Sequence, residues 1–324
     1  MEKSKKLNMK KVKMRKDGRF TSNLKIAVTR QWDLQLMILP ALVCLAIFSY
    51  GPMYGIIIAF KDYTFKQGII GSDWVGFKHF ISIVTDPFVH RSLFNSIGLS
   101  LIRLVVVFPA PILLALLFNE MRFGRLKRIF QTISYFPYFV SWAVVCAVAP
   151  IWLAPTTGWV NALLQFFGIL KEPVTFLAEP GYFWAITIIL ELWKGIGFSA
   201  IIYIAAISGI DQEQYEAATI DGASRFQKIR YITLPSISGT VSLLFILQIS
   251  GIIGGNFDVS YLLGNNSNAS RSMILQTYTY TIGILQGRFS YATAVGLLTS
   301  IVSMTLLLLG NFAVKRITKS SGLF

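Results

Sequence analysis

The sequence predicts an all-α membrane protein with six transmembrane helices, and three observations support this fold class. Of the 324 residues, 54% are hydrophobic and only 14% are charged, a balance that is typical of a chain with several membrane spans. The mean hydropathy is +0.60. Apolar and polar residues do not alternate over strand-length stretches, so a transmembrane β-barrel is not expected.

Six apolar stretches are each long enough to cross the hydrocarbon core of a bilayer, which takes about 20 helical residues. They are Met37–Phe60, Phe94–Phe118, Ile133–Leu153, Tyr182–Ile207, Ile237–Phe257 and Tyr291–Val314. Together they predict a transmembrane domain over residues 37–314, with a basic tail before it (residues 1–36) and a short tail after it (residues 315–324).

The distribution of basic residues predicts the orientation of these spans. The loops and tails on one side contain 21 Lys and Arg residues, whereas the loops on the other side contain 7. Because basic residues accumulate on the cytoplasmic side, both tails are predicted to be cytoplasmic. The net charge of +15 is therefore interpreted as an orientation signal. No nucleic-acid partner is expected, and the basic first tail is expected to contact anionic membrane lipid.

Motifs of catalysis and of nucleotide binding do not occur in the sequence. No Gly-x-x-x-x-Gly-Lys-Ser/Thr segment occurs, so the chain is not expected to bind ATP through a P-loop of its own. The spans contain neither a pair of Asp residues nor a Cys/His pair, so catalysis and metal binding are not expected. Cys44 and Cys146 lie in apolar spans, where packing is their usual role.

A polar loop between the fourth and fifth spans, residues 208–236, interrupts the apolar sequence with "YEAATIDGASRFQKIRYITLP". Asp211 and Gln214 predict a capping box for a helix that begins near Gln212. Gly222 is where this helix can turn, and Pro235 marks the entry to the next span. By itself this pattern fits a helix onto which another protein docks and an ordinary amphipathic connector equally well.

The spacing of residues in this loop resembles the EAA loop of binding-protein-dependent ABC importer permeases. The motif consists of Glu-Ala-Ala, then Asp-Gly-Ala after two residues, then Ile-x-Leu-Pro after eight more. Two further stretches, "FSYGPMYGIIIAFKDY" and "WVGFKHFISIVTDPFVHRSLFNSI", are similar to sugar-importing members of the maltose and oligosaccharide type. The ATPase-coupling residues that this resemblance implies are Glu216, Ala217, Ala218, Asp221, Gly222 and Ala223.

The resemblance implies the six-helix type I importer fold in a bacterial inner membrane, and it implies the partners of the chain. These are a second homologous permease subunit, two ABC ATPase subunits that bind ATP and magnesium, and an extracytoplasmic solute-binding protein. The chain itself is then neither an enzyme nor a cofactor-binding protein. The implied cargo is an oligosaccharide, such as a fragment of the acidic polysaccharide alginate.

The fourth span contains the stretch "ELWKGIGF", which places ionisable residues in the membrane. Glu191, Lys194, Gly195 and Phe198 follow a spacing that puts them on one helical face, with the two charges about 13–18 Å deep. Ionisable groups at this depth are costly, so they face a cavity or each other. The resemblance to maltose-type permeases implies that this face lines the substrate path, and that Asn256 in "GGNFDVSYLL" contacts sugar.

Three alternatives stay open at this point. Glu191 and Lys194 are also consistent with a pair that only neutralises itself within the helices. With Arg103 of the second span, they are also consistent with a proton or ion relay in a self-contained channel or secondary transporter. An importer permease for a non-sugar solute is the third. The spacing of the EAA loop favours an importer, because a self-contained carrier needs no docking loop.

Overall fold

A computed structural model describes residues 32–318. Most of the predicted basic tail and the last six residues of the sequence lie outside the described residues. The chain divides into two compact units, Met1–Ile57 and Ile58–Phe324, which are described separately.

The described part of the first unit contains most of the first predicted span. A helix of membrane length covers Leu36–Phe60, within one residue of the predicted start. It is built from an α-helix, a π-helical turn, a further α-helical turn and a 3₁₀ segment, which are Trp32–Leu45, Ala46–Tyr50, Gly51–Met53 and Tyr54–Phe60. Pro40 and Pro52 lie within it, as membrane helices tolerate.

In the described part of the second unit, four helices are long and apolar enough to cross a membrane. They are Pro87–Glu120, Pro180–Ser208, Arg225–Ser250 and Phe289–Arg316, which confirm the second, fourth, fifth and sixth predicted spans apart from their ends. The second span consists of Pro87–Ile102, a π-helical turn at Arg103–Val107, and Pro109–Glu120. The sixth is one helix, Phe289–Thr318.

The third predicted span is not a single helix. Gly124–Tyr135 is followed by a 3₁₀ turn at Phe136–Phe139, and a second helix, Trp142–Trp152, continues at an angle of 98°. Pro137 lies in the 3₁₀ turn, and the Ser141 side chain caps the second helix, so the local sequence itself encodes the break. The expectation of one continuous helix over Ile133–Leu153 is therefore wrong.

The fifth span ends earlier than predicted. Arg225–Lys228, a π-helical turn at Ile229–Thr233, and Leu234–Ser250 form one continuous span. The glycine-rich segment after Ser250 breaks the helix, and Gly255 has a φ of +67°. Asn256 was expected near the outer end of the fifth span, but it is the N-cap of a separate short helix, Phe257–Leu263.

Short elements connect the spans at the end of the molecule away from the polar loop. Lys61–Asp62 and Asp73–Trp74 form an antiparallel pair in which Lys61 is opposite Trp74. The remaining helical segments are Gly68–Gly71, Lys78–Thr85, Trp159–Phe166, Ala269–Ser272, Leu275–Tyr280 and Thr281–Leu285.

The fourth span is the helix around which the second unit packs. Phe183 and Leu190 belong to a buried cluster towards its first end, and Tyr203 belongs to another towards its last. At Gly197 the neighbouring backbone comes so close that a Cβ atom would lie 2.1 Å from the carbonyl oxygen of Ser134. This central position places the charges of the fourth span among other helices.

Candidate functional site: a coupling loop and a buried charge network

The polar loop forms the predicted helix, which covers Gln212–Ile220 and begins at the expected residue. The Asp211 side chain accepts a hydrogen bond from the backbone N–H of Glu213 at 3.0 Å. The capping box predicted for Asp211 with Gln214 does not form in this helix. A complete capping box forms instead at the next helix start, where Ser224 and Gln227 cap each other.

Gly222 turns the chain at the end of this helix, as predicted. Its φ is +77°, a conformation that glycine adopts without strain. The backbone N–H groups of Gly222 and Ala223 donate to the carbonyl oxygens of Thr219 and Ala218 at 3.1 and 2.9 Å. These bonds satisfy carbonyls at the end of the helix and direct the chain back towards the fifth span.

Side-chain hydrogen bonds attach the loop helix to the base of the fifth span. The hydroxyl groups of Tyr215 and Thr233 are 2.9 Å apart, and Thr233 is buried. The Lys228 ammonium donates to the hydroxyl of Thr219 at 2.7 Å. Because Thr233 and Lys228 belong to the fifth span, these two bonds connect the loop helix directly to that span.

The six residues that the sequence predicts to couple the chain to an ATPase form an accessible surface on the described part of the chain. Four of them are exposed and the other two, Ala218 and Ala223, are half-buried. The neighbouring side chains of Ile220 and Phe226 are 87% and 72% exposed. Small motif residues flanked by exposed apolar side chains meet the geometric requirement for docking a partner protein.

Glu191 is buried in the fourth span and pairs with Arg103 of the second span. The Nε of Arg103 donates to the Oε2 of Glu191 at 2.6 Å, and a second bond joins Nη2 to Oε1. The Nδ2 of Asn256 donates to Oε1 at 3.0 Å. This network around the buried Glu191, called the buried charge network (Arg103, Glu191 and Asn256), joins three segments, and its other two members are half-buried. The alternative in which Glu191 and Lys194 neutralise each other is therefore wrong.

Lys194 takes its partners from the break in the third span. Its ammonium donates to the carbonyl oxygens of Tyr138 and Val140 at 2.6 and 2.5 Å. It also lies 5.2 Å and 5.5 Å from the ring centroids of Tyr138 and Trp142, within the range of a cation–π interaction. Among residues 32–318 its side chain is in no ion pair, so carbonyl dipoles and aromatic faces alone balance its charge.

The predicted face of the fourth span divides into two sides. Phe198 stacks on Tyr138 with ring centroids 3.8 Å apart, and Lys194 contacts the same tyrosine, so these two residues of the fourth span share one environment. Gly195 lines a cavity of about 280 Å³ between the second, fourth and fifth spans, together with Ser199 and Gln248. The backbone break at Tyr138 was not a predicted part of the site, although the Phe-Pro-Tyr-Phe sequence is a visible signal of it.

The membrane-length helices are those of a multi-pass membrane protein, and the polar loop between two of them carries an exposed helix. A family model described as "Binding-protein-dependent transport system inner membrane component" matches residues 80–320, and the chain belongs to this family. It is accordingly a multi-pass subunit of an ABC importer and not itself an enzyme. The ATPase is a separate subunit, and a partner permease and a solute-binding protein complete such importers.

Two proteins of Bacillus subtilis (strain 168) are similar over nearly their whole length. The "Polygalacturonan/rhamnogalacturonan transport system permease protein YteP" is 42% identical over 293 residues, which are 90% of this chain and 91% of the relative. Protein LplB is 40% identical over 298 residues, which are 92% of this chain and 93% of the relative.

The fold is similar to a chain in solved structures of an importer. One is the crystal structure of a bacterial ABC transporter involved in the import of the acidic polysaccharide alginate, matched with a TM-score of 0.84 at 35% identity. The match covers 91% of this chain and 99% of that one. A second structure contains that transporter in complex with an alginate pentasaccharide-bound periplasmic protein. The predicted fold class and family are thereby confirmed.

Proposed function

We propose that this chain forms half of the translocation path of an ATP-driven importer for oligosaccharides rich in uronic acids. The observation that carries this proposal is the unneutralised charge of Lys194. Glu191, the nearby carboxylate that the sequence offered as a partner, is engaged by Arg103. Lys194 is buried beside aromatic rings, at 8% exposure, and the proposal is that its charge attracts an anionic sugar when the translocation path opens.

The chemistry of this site suits a carboxylated sugar ring. An ammonium group has three donors, and Lys194 uses two of them on the carbonyls of Tyr138 and Val140. A carboxylate is a stronger acceptor than a carbonyl, and a low dielectric increases its attraction to the ammonium group. Phe198 is 36% exposed beside it and offers an apolar ring to the apolar face of a sugar.

The similar proteins support the same class of cargo. YteP is named for the transport of polygalacturonan and rhamnogalacturonan, and the similar solved structure belongs to an importer of alginate. Polygalacturonan and alginate are both polymers of uronic acids. Oligogalacturonates are the first cargo to test, because YteP has the higher identity, and alginate oligosaccharides are the second.

In the proposed assembly, the EAA residues couple this subunit to an ATPase. Glu216 and Asp221 supply charges to the ATPase surface, Ala217 lets its backbone approach closely, and Gly222 sets the turn. The bonds from Tyr215 and Lys228 pass a movement of the loop helix to the fifth span. Nucleotide binding to the ATPases and substrate binding on the other side of the membrane then both shift the equilibrium between the same two conformations of the importer.

The decisive experiment replaces Lys194 in the complete importer, reconstituted in vesicles with its partner permease, ATPases and binding protein. In Lys194→Met, we expect uptake of an oligogalacturonate to fall about tenfold, the equivalent of about 1.4 kcal/mol. Uptake of the carboxyl-reduced, neutral oligomer should change little. Lys194→Arg retains the charge and is the matched control.

Two outcomes would contradict this role. Equal losses for both oligomers, together with poor assembly, would make Lys194 a structural cap for the carbonyls of the third-span break. Unchanged uptake of the acidic oligomer would exclude Lys194 from substrate selection.

We also propose the orientation that the basic residues indicate, with the polar loop in the cytoplasm. Lys66 and Ser224 are both exposed and lie on opposite sides in this arrangement. A membrane-impermeant thiol reagent added outside intact cells should label Lys66→Cys and leave Ser224→Cys unlabelled. Labelling of Ser224→Cys alone would reverse the orientation.

A further inference from the structure

A small polar cavity of about 180 Å³ lies near the ends of the spans that are opposite the polar loop. It is bordered by the short helix Phe257–Leu263, the segment after it, and the region around Thr277 and Thr281. Its polar lining includes Ser260, Tyr261, Asn265, Asn266, Thr277 and Thr281. Hydroxyl and amide groups therefore dominate this surface, and no charged side chain among residues 32–318 lines it.

Ser260 is the unexplained group in this cavity. Its residue is 97% buried, at 3% exposure, and its hydroxyl has no hydrogen-bond partner among the described residues. A buried hydroxyl without a partner is unfavourable and is rare in folded proteins. Because Ser260 also lines the cavity, a rotation of its side chain would bring this hydroxyl to a ligand there.

An aromatic face lies next to this hydroxyl. The Tyr261 ring is 40% exposed and lines the cavity. Phe257 stacks against it with centroids 5.3 Å apart, and the edge of Tyr280 packs on both rings. The cluster holds the Tyr261 ring in place before any ligand arrives, so little conformational entropy is lost on binding.

We propose that this cavity, the Ser260 cavity, is an entry subsite for one pyranose ring of the cargo, which it contacts at the ring hydroxyl groups. Its hydroxyl and amide groups match sugar hydroxyls, and its aromatic ring matches the apolar face of the sugar. Since the described residues that line it are uncharged, it binds the ring hydroxyls and does not distinguish a uronic-acid ring from its reduced form. This inference rests on the proposed sugar transport, but it assigns a different chemical task from that of Lys194.

The position of the cavity supports a role on the way to the buried charges. The segment that contains Ser260 is fastened at both ends: Asn256 donates to Glu191 in the middle of the fourth span, and Asn265 donates to the carbonyl of Leu177 just before that span begins. Ser260 lies between these two contacts along the short helix. A sugar chain that enters from this end passes the Ser260 cavity before it reaches Lys194.

The test compares two serines that share burial and lack of a partner. Ser100 of the second span is 4% exposed, its hydroxyl is also without a partner among the described residues, and it does not line this cavity. In the reconstituted complete importer, Ser260→Ala should raise the KM for uptake about three- to tenfold, the usual value of one lost hydrogen bond. Ser100→Ala should leave KM unchanged.

The cargo distinguishes this subsite from the Lys194 site. Ser260→Ala should raise KM equally for an oligogalacturonate and for its carboxyl-reduced oligomer, whereas the effect of Lys194→Met depends on the carboxylates. Tyr261→Leu should raise KM at least as much as Ser260→Ala, and Tyr261→Trp should restore most of the wild-type value. A purely structural role for Tyr261 would not predict that another aromatic residue restores the KM.

The outcomes separate the two proposals. If Ser260→Ala and Ser100→Ala have the same KM, the subsite is overturned, whatever Lys194→Met does. If the wild-type importer takes up only the neutral oligomer, the proposal of a uronic-acid cargo fails. The KM values of Ser260→Ala and Ser100→Ala for the neutral oligomer then still test the subsite.

Discussion

In the coupling loop, the bonds that hold the helix in place join residues close in sequence: Tyr215 and Thr233 are 18 positions apart, and Thr219 and Lys228 are 9 apart. In the buried charge network, Glu191 takes its partners from 88 and 65 positions away. The loop is exposed and built from turn and capping signals, whereas the network is buried and built from charge pairing. A loop of the first kind tolerates most changes of side chain, but a network of the second kind depends on every member.

The sharpest test of this difference removes Arg103. In Arg103→Met, the Glu191 carboxylate stays buried without its counter-ion, which should lower the free energy of unfolding by about 3–5 kcal/mol. Denaturation of the purified importer in detergent would measure this loss. The double variant Arg103→Met/Glu191→Leu removes both charges and should recover most of the stability. A single variant as stable as the wild type would show that the pair is not what holds these spans together.

A second test concerns how closely the fourth span is packed on its two sides. A Cβ atom at position 197 would lie 2.1 Å from the carbonyl oxygen of Ser134, so Gly197→Ala should cost about 1–3 kcal/mol. The matched control is Gly195→Ala, because a Cβ atom there meets nothing within 4 Å. This control should be neutral, or stabilising by up to about 1 kcal/mol through helix propensity. Equal losses at both positions would contradict the open side at Gly195.

The coupling loop should respond to its backbone more than to side-chain volume. Gly222 has a φ of +77°, and the space around it is open, so Gly222→Val strains the turn by about 1–2 kcal/mol without a clash. We expect substrate-stimulated ATP hydrolysis by the assembled importer to fall several-fold. Gly222→Asn is the control, since asparagine adopts this conformation more readily. If both variants hydrolyse ATP like the wild type, the turn is not needed for coupling.

The smallest effect is expected at Asp86, just before the second span. Burial tends to raise the pKa of this carboxyl, but hydrogen bonds from Tyr278, Tyr291 and the backbone N–H groups of Phe88 and Val89 lower it below its ordinary value. A lowered pKa in the folded state means that this stabilisation is present above the ordinary pKa of Asp, about 3.9, and is lost as the pH falls through the folded value.

Thermal denaturation of the importer between neutral and acidic pH measures this contribution. Asp86→Asn should lower the stability slightly at neutral pH and should reduce the loss on acidification. The pH dependence would be unchanged in this variant if the two tyrosines did not stabilise the ionised carboxylate.

The sequence by itself determined the features that depend on local composition. Apolar length placed five of the spans near their observed positions, because desolvation of the backbone in a membrane leaves the helix as the stable local structure. Asp211 and Gly222 placed the start and the turn of the loop helix, since caps and positive-φ turns are properties of a few adjacent residues. The spacing of the EAA motif indicated the family.

The tertiary structure decided which distant residues meet. Arg103 and Glu191 both stood out in the sequence as charges in the membrane, but nothing in their local pattern pairs them, and Glu191 has an obvious neighbour in Lys194. Pairing depends on the relative rotation of the spans and on the break at Tyr138, whose carbonyl accepts from Lys194. Such choices follow from the packing of whole helices. A charge buried at this depth is stabilised by whichever partner that packing brings within reach.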